Sequence, residues 1–191
     1  MQINKLESSY FIITIKEHKE IKNDLLLSIQ RSEGKSISND QEVISRTDWP
    51  PTHDNRPWIQ MFYPLVQPYM LDIVDMMQAE TWKIHSAWYQ QYNKDDYHGW
   101  HNHDGCQWAA VYFVELPSDE LKTRLFNQVT KEFIDLETVQ EGDILIFPSY
   151  LTHKSLPNLT DKRKTIISFN CCFYDFDDIR ISKIVKELDW R

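Results

Sequence analysis

The spacing of hydrophobic and polar positions changes near residue 80, from mainly helical before that point to mainly strand-like after it. Before that point, apolar side chains recur every three or four residues over residues 19–30 and 57–79, which is the period of a helix with one buried face. Pro64 lies inside the second stretch and predicts a break or kink, because proline removes a backbone donor and clashes with the preceding turn. A β-branched and aromatic run over residues 10–16 predicts a strand ahead of the first helix.

After residue 80, short β-branched and aromatic runs dominate the chain, and turn residues separate them. We predict strands over residues 81–92, 107–116, 124–128, 131–136, 143–147, 152–156 and 163–173. Residues 177–188 return to helical spacing and predict a closing helix. Many short strands in succession are typical of a sandwich or barrel, here backed by helices.

A single domain is expected, because 191 residues are enough for one hydrophobic core with an added helical layer. Residues 1–80 would form a supporting layer of strand, helices and loop, residues 81–175 the β core, and residues 176–191 the terminal helix. The predicted fold class is therefore α+β and mainly β. The polar stretch 31–55 is predicted to be a long loop, and long loops beside a site often bind substrate.

The net charge of −8 narrows the expected partners. An acidic chain disfavours broad electrostatic binding to nucleic acid, because the phosphate backbone is repelled. It suits a basic peptide, or a small molecule that a few fixed cations hold. We therefore expect a substrate of unknown identity, such as a peptide or protein, rather than nucleic acid. The chain would act as a monomer or homodimer.

The three cysteines, Cys106, Cys171 and Cys172, do not form the even set of a disulfide framework. They indicate a reducing compartment, and Cys106 is expected to be a small buried residue rather than a ligand. The chain lacks an apolar run of membrane-spanning length and a signal-like N-terminal segment. We expect a cytoplasmic, soluble protein without membrane contact.

Histidines supply the candidate chemistry. The stretch 97–105, Tyr-His-Gly-Trp-His-Asn-His-Asp-Gly, places His101 and His103 two residues apart, and in an extended chain such residues face the same side. Two imidazoles directed at one point suggest a metal site, although the same triplet also occurs in surface loops. His98 would face the opposite side of a straight strand. His153 follows the apolar strand 143–147, and a barrel of strands would return it to the same open end.

Arg163 lies ten residues after His153, beyond turn residues, and would begin a neighbouring strand. Thr165 shares its face of that strand. An arginine directed into an apolar barrel requires an anion, and a guanidinium beside a hydroxyl is a good receptor for a carboxylate. The alternative is an ordinary arginine–carboxylate pair at the strand edge.

Taken together, these motifs resemble the iron(II)- and 2-oxoglutarate-dependent dioxygenases. The residues that carry the resemblance are H-x-H, the strand V-Y-F-V, the run E-G-D-I-L-I-F-P-S-Y-L-T-H and then R-K-T-I-I-S-F-N. The likeness is greatest to the small microbial and phage members related to prolyl hydroxylases, and it covers about residues 82–173. It implies a double-stranded β-helix, which is a cupin-like jelly roll, with a metal at its open end.

The resemblance also implies a ligand set for Fe(II). His101 would be the first ligand and His153 the distal one. Related enzymes usually carry H-x-D or H-x-E, whereas this chain has His103 at the second position. Three histidines are therefore the expected set. Asp104 is the alternative third ligand, but only a bulge would turn it inward.

The cosubstrate residues follow from the same resemblance. Arg163, helped by Thr165, would bind the far carboxylate of 2-oxoglutarate. Tyr112 and Tyr92 are candidates to line the cosubstrate pocket, although both are equally ordinary barrel aromatics. The implied reaction consumes O2 and 2-oxoglutarate, releases succinate and carbon dioxide, and hydroxylates the substrate, which could be a prolyl or another side chain of a protein.

Two other classes of function remain open. The first is a cupin-type metalloenzyme with three histidines that does not use 2-oxoglutarate, since three neutral imidazoles suit zinc as well as iron. The second is a binding module in which the histidines are structural. Arg163 at its spacing favours the oxygenase over both.

Overall fold

The computed structural model describes residues 8–50, 55–134 and 136–176, and contains two α-helices and eleven strands within them. The predicted closing helix over residues 177–188 lies outside the described residues. The helices are α1 (His18–Arg31) and α2 (Pro57–Met76). The strands are β1 (Phe11–Thr14), β2 (Lys35–Ser38), β3 (Glu42–Thr47), β4 (Ala79–Tyr92), β5 (Tyr97–His101), β6 (Trp108–Glu115), β7 (Thr123–Asn127), β8 (Glu132–Ile134), β9 (Asp143–Pro148), β10 (Thr152–Ser155) and β11 (Lys164–Phe176).

The strands form one antiparallel sheet that curls back on itself. Their order is β1-β9-β6-β11-β4-β3-β5-β10-β7-β8, and β2 pairs with β3 at the side. The curl brings the two halves of the sheet face to face. The centroid of the Phe147 ring on β9 accordingly lies 4.7 Å from that of the His153 ring on β10. The molecule is mainly β with a jelly-roll architecture, as the sequence predicts.

Strand β6 shows how alternation divides the core into two parts. One set of its side chains faces the interior between the two halves of the sheet: Ala109, Val111 and Phe113. The other set faces the helices: Ala110, Tyr112 and Val114. Strand β6 is therefore buried on both faces, which explains its nearly continuous run of apolar residues.

The two helices cover one half of the sheet. Their inward residues, which include Leu25 and Ile29 on α1 and Phe62 and Val66 on α2, are fully buried. Helix α2 continues through Pro64 and Pro68, so the predicted break is wrong. Both prolines lie on the exposed side of the helix, where water can satisfy the backbone carbonyls that lose their partners. Within the described residues, neither helix has the length and apolarity that crossing a membrane requires.

The stretch 31–55 is not simply a loop, which corrects the sequence-based prediction. It contains β2 and β3, and β3 joins the two halves of the sheet because it pairs with both β4 and β5. The two strands are short, and most of their side chains are only partly buried or exposed. Their sequence therefore lacks the apolar run by which the other strands are recognised.

Candidate metal centre

His101 and His153 lie opposite each other on paired strands. His101 is the last residue of β5 and His153 is the second of β10, and the antiparallel register places them as direct partners. Their ring centroids are 4.2 Å apart. A backbone hydrogen bond from Gly99 to Gln41 O, 2.7 Å long, holds β5 against the β2–β3 turn. Strand pairing thus brings together two imidazoles that are separated by more than fifty residues in sequence.

His103 joins them from the turn that follows β5. Its backbone N–H donates to Ser149 O at 3.0 Å, and its ring packs against Trp88 at a centroid distance of 5.7 Å. The ring centroids of His103 lie 5.4 Å from His101 and 4.9 Å from His153. One nitrogen from each of the three rings falls within 4.8 Å of the others, so this group could hold a metal ion.

Hydrogen bonds to each Nδ1 define the direction of the three rings. His101 Nδ1–H donates to Gly99 O at 2.8 Å, and His153 Nδ1–H donates to Leu151 O at 3.0 Å. His103 Nδ1 is 2.6 Å from Asn170 Oδ1. Because these acceptors require a proton on Nδ1, each Nε2 carries a free lone pair. That is the form in which histidine binds a metal.

The electrostatic environment keeps the three rings neutral. Burial lowers the pKa of His101 and His103, and it lowers the pKa of His153 well below the usual range, to which the neighbouring imidazoles add. Hydrogen bonds to Gly99, Asn170 and Leu151 oppose the shift. The three rings are therefore neutral at neutral pH, and a metal ion does not have to displace protons from them.

His98 lies beside the group instead of facing away from it. A bulge in the β5–β10 pairing places two residues of β5, Gly99 and Trp100, opposite Lys154 alone, which turns His98 to the side of His101. The two rings stack with centroids 3.9 Å apart and planes at 14°. His98 Nε2 lies 3.2 Å from Glu42, and burial together with the neighbouring imidazoles lowers the pKa of His98 to about 3. His98 supports the first candidate ligand but is outside the group of three.

Asp104, the alternative third ligand, is also outside that group. Its side chain is exposed at the edge of the cavity that the histidines line, and the ring that turns inward after β5 is that of His103. The three-histidine set is thus the arrangement that the structure brings together.

The histidines open into a cavity of about 230 Å³ between the two halves of the sheet. Behind its wall lies Lys164, which is fully buried. Lys164 Nζ donates to Ser155 Oγ at 2.7 Å and lies 5.2 Å from the centroid of the Tyr92 ring. Within the described residues, no carboxylate pairs with this ammonium, and burial lowers the pKa of Lys164 to about 7.

The Tyr92 hydroxyl is a second buried polar group on this side of the cavity. It is buried and makes no hydrogen bond within the described residues. Burial is the main cause that raises the pKa of Tyr92, and the carboxylates of Glu42 and Asp96 add to it. A buried cation without an anion and a buried hydroxyl without an acceptor are both costly. Together they mark a place for an anionic ligand.

The structure does not bring Arg163 and Thr165 into the cavity, and this corrects the predicted cosubstrate anchor. Arg163 Nε donates to Glu115 at 2.8 Å, and the arginine side chain is 42% exposed. The Thr165 hydroxyl also donates to Glu115. The two residues do share one face of the chain, as predicted, but it is the face directed away from the cavity. The alternative that the sequence left open, an arginine–carboxylate pair at the strand edge, is the observed one.

Polar residues along β11 could have revealed which face points inward. Ile166, Ser168 and Asn170 line the cavity, and alternation places Lys164 on the same side. Thr165 and Ile167 face the other way, where Ile167 packs among residues that contact the helices. The sequence does contain a signal for this face. An otherwise apolar strand carries three polar residues on one side, Lys164, Ser168 and Asn170.

The two candidate tyrosines separate in the same manner. Tyr92 lines the cavity, whereas Tyr112 faces the helices, where its hydroxyl lies 2.8 Å from His18 Nδ1 and its ring packs against Phe62. Tyr112 therefore cannot line a pocket beside the histidines, because the alternation of β6 directs it to the opposite face.

No protein-family model matches the sequence, and no curated protein matches it. Solved structures do share its fold. A prolyl-4-hydroxylase from Pseudomonas putida is 13% identical, with a TM-score of 0.60 over 89% of this chain and 94% of the other. A 2OG-Fe(II) oxygenase family protein from Burkholderia pseudomallei is 11% identical, with a TM-score of 0.69 over 85% and 84%.

A third similar structure is a prolyl hydroxylase from Trichoplax adhaerens in complex with a peptide fragment of hypoxia inducible factor. It is 10% identical, with a TM-score of 0.61 over 88% of this chain and 84% of the other. At these identities the likeness concerns the fold alone. It confirms the predicted structural resemblance to the 2-oxoglutarate-dependent oxygenases, including prolyl hydroxylases.

Proposed function

We propose that the protein is an Fe(II)- and 2-oxoglutarate-dependent oxygenase that hydroxylates an unidentified substrate and releases succinate and carbon dioxide. The observation that carries the proposal is the convergence of three neutral imidazoles, His101, His103 and His153, in one cavity. The buried ammonium of Lys164 lies directly behind Ser155, which lines the same cavity, and no carboxylate of the described residues pairs with it. A small dicarboxylate that chelates the metal could reach both.

The donor set suits a divalent transition metal. Three imidazoles on a rigid scaffold occupy one side of an ion and leave other positions open for a cosubstrate. Hydrogen bonds at each Nδ1 fix the rings, so coordination requires no rearrangement of tautomers. When bound, Fe(II) with 2-oxoglutarate and O2 supplies the redox chemistry. The protein supplies orientation and a partly enclosed, aromatic-lined cavity.

Lys164 is proposed as the anchor for the far carboxylate of 2-oxoglutarate, in place of Arg163. A carboxylate there would compensate the buried charge, and a charged hydrogen bond in a buried site is a strong one. The Tyr92 hydroxyl, which lacks an acceptor, would donate to the same anion. Ser155 already accepts from Lys164 Nζ and holds the ammonium in place.

The proposed site departs from the common pattern because its three protein ligands carry no negative charge. A metal bound to His101, His103 and His153 keeps its full double charge. The dianionic cosubstrate would neutralise that charge. Metal and cosubstrate binding should therefore be strongly coupled, each favouring the other.

The proposal is tested by cosubstrate binding and turnover. Anaerobic addition of Fe(II) and 2-oxoglutarate is expected to produce a weak visible charge-transfer band, and air should then yield succinate. Lys164→Met should weaken 2-oxoglutarate binding at least ten-fold, the size expected for a lost charged hydrogen bond. Arg163→Met is the matched control, because Arg163 is the adjacent residue but its side chain pairs with Glu115 on the face directed away from the cavity. This variant should bind 2-oxoglutarate as tightly as the wild type does.

Equal 2-oxoglutarate affinity in wild type and Lys164→Met would contradict the assignment. A three-histidine metalloenzyme that does not use 2-oxoglutarate is the second candidate, since a neutral imidazole set also suits zinc and other metals. Oxygen uptake or hydrolysis that is independent of 2-oxoglutarate would favour it. The buried Lys164 is the feature that such an enzyme would leave unexplained.

A further inference from the structure

We propose that the mouth of this cavity binds a primary ammonium group on an aliphatic chain, as a lysine side chain or a free alkylamine carries it. Trp49 and Trp88 would form the aromatic side of this subsite, and the carboxylate of Asp104 the charged side. The inference rests on the proposed function in that it takes the cavity to be the substrate site. It concerns binding and does not require turnover.

The aromatic side consists of two tryptophans that line the cavity. Their ring centroids are 4.5 Å apart with planes at 47°. Trp88 is buried and packs against His103, while Trp49 is 38% exposed at the mouth. Tryptophan is the side chain that attracts cations most strongly through its ring face. A chain passing over these rings reaches the histidines.

Asp104 supplies the negative charge. It directly follows His103, lines the same cavity, and is exposed. Among the described residues it has no hydrogen-bond or ion-pair partner. The other carboxylate of the cavity, Glu42, lies 3.2 Å from His98 Nε2 and is already engaged. Asp104 is therefore the carboxylate that remains available to a ligand.

The balance of charge at the mouth favours a cation over neutral or anionic ligands. In the described part of the chain, Lys154 is the one lysine or arginine that lines the cavity. Its ammonium already contacts an aromatic ring, since Nζ lies 4.5 Å from the centroid of Trp100. Lys164 is buried behind Ser155. An anion would be repelled by Asp104, and a neutral ring such as proline would leave that carboxylate unpaired. An ammonium would contact the exposed ring of Trp49, which Trp88 supports from below, and pair with the carboxylate.

Titration calorimetry with matched probes tests the inference. The probes are acetylated, amidated tripeptides with a central lysine, norleucine or proline between alanines, together with n-hexylamine and 1-hexanol. We expect the lysine peptide to bind about five-fold or more tightly than the norleucine peptide, the size expected for a partly exposed cation–π contact with an ion pair. The amine should likewise bind more tightly than the alcohol. A lysine peptide that binds more tightly than n-hexylamine would identify the source as a polypeptide, and the reverse order would identify a free amine.

Three variants locate the effect. Asp104→Asn should reduce the preference for lysine over norleucine to less than two-fold with an unchanged metal content. Trp49→Leu should weaken binding of the lysine peptide more than binding of the norleucine peptide, because only the lysine peptide loses a cation–π contact. Asp72→Asn, on the exposed side of α2, is the control and should retain the full preference.

Equal binding of lysine and norleucine peptides, tighter binding of the proline peptide, or an unchanged preference in Asp104→Asn would overturn the inference. Its failure is separable from that of the proposed function. A protein that forms succinate but shows no preference for lysine refutes only the ammonium subsite. A protein that prefers lysine through Asp104 but does not bind 2-oxoglutarate refutes only the oxygenase.

Discussion

At the scale of single residues, His103 differs from the other two candidate ligands because the hydrogen-bond partner of its Nδ1 is a side chain. His101 and His153 donate Nδ1–H to the backbone carbonyls of Gly99 and Leu151, each two residues earlier in the chain, and a side-chain substitution cannot remove these acceptors. His103 lies outside a strand, and its Nδ1 contacts the side chain of Asn170 on β11. The third candidate ligand is thus the one whose position is set by a long-range contact.

Replacing Asn170 by leucine should therefore weaken metal binding. The loss of such an outer contact commonly reduces metal affinity by about 10- to 100-fold. Ser168→Ala is the matched control, because Ser168 lines the same cavity two residues earlier and hydrogen-bonds Gln90 instead. Titration with Mn(II) or Co(II) measures both. Equal affinities in the two variants would show that His103 is held in another way, or that it is not a ligand.

The buried Lys164 makes a prediction about stability and pH. Burial lowers the pKa of Lys164 from its usual 10.5 to about 7 in the folded protein. Between these values the unfolded chain holds a proton that the folded chain has released, so stability should rise with pH across this window. Below pH 7 both states are protonated and this contribution to the slope vanishes.

Urea unfolding of the metal-free protein at several pH values, without keto acid, checks this prediction. The free energy of unfolding of the wild type, taken relative to Lys164→Met, should increase from about pH 7 towards pH 10. A flat difference for Lys164→Met would mean that the ammonium is compensated in the folded state.

At the scale of elements, the pairing of β5 with β10 brings the candidate ligands together. The burial of β11 on both faces makes the rest of the site harder to predict from sequence. The spacing of His101, His103 and His153 is enough to predict the histidine group, because strands of a barrel return to the same end. Which face of β11 points into the cavity is harder to predict, since both faces are buried and carry apolar residues. The hydrophobic pattern alone does not separate Arg163 from Lys164, and only the polar residues Ser168 and Asn170, which share the face of Lys164, favour the lysine.

Local composition explains the other differences between prediction and structure. The strands β2 and β3 were hidden because partly exposed strands at the junction of the sheet need no apolar run. Helix α2 continues through prolines because tertiary packing of its buried face outweighs the local loss of hydrogen bonds. In both cases the long-range contact, rather than the local preference, decides the structure.

Pro68 consequently offers a route to a more stable protein. It lies on the exposed side inside α2 and cannot donate to the carbonyl four residues earlier. Pro68→Ala should increase the free energy of unfolding by about 1–2 kcal/mol, the helical gain less the added entropy of the unfolded chain. Pro57→Ala is the control, since proline is well tolerated in the first turn of a helix. Urea unfolding compares them, and equal stabilities would contradict this interpretation of α2.

At the scale of the whole molecule, the candidate site lies between the two halves of the curled sheet. Ligands that contact β4, β5, β10 and β11 together should stabilise the entire fold, because they bind only the folded state. Since the three candidate ligands are neutral, the two bound species should also reinforce each other. The increase in Tm with Mn(II) and 2-oxoglutarate together should exceed the sum of the two separate increases. Additive shifts in a thermal melt would argue against a shared site.

In the proposed complex, the three imidazoles and the Lys164 ammonium hold opposite ends of one metal–cosubstrate assembly. A crystal structure determined anaerobically with Mn(II) and 2-oxoglutarate measures this most directly. We predict an ion about 2.1 Å from Nε2 of His101, His103 and His153, a typical metal–imidazole distance, with the far carboxylate on Lys164 Nζ and the Tyr92 hydroxyl. An ion coordinated by Asp104 in place of His103, a carboxylate bound by Arg163, or a cavity without metal and keto acid would contradict the account.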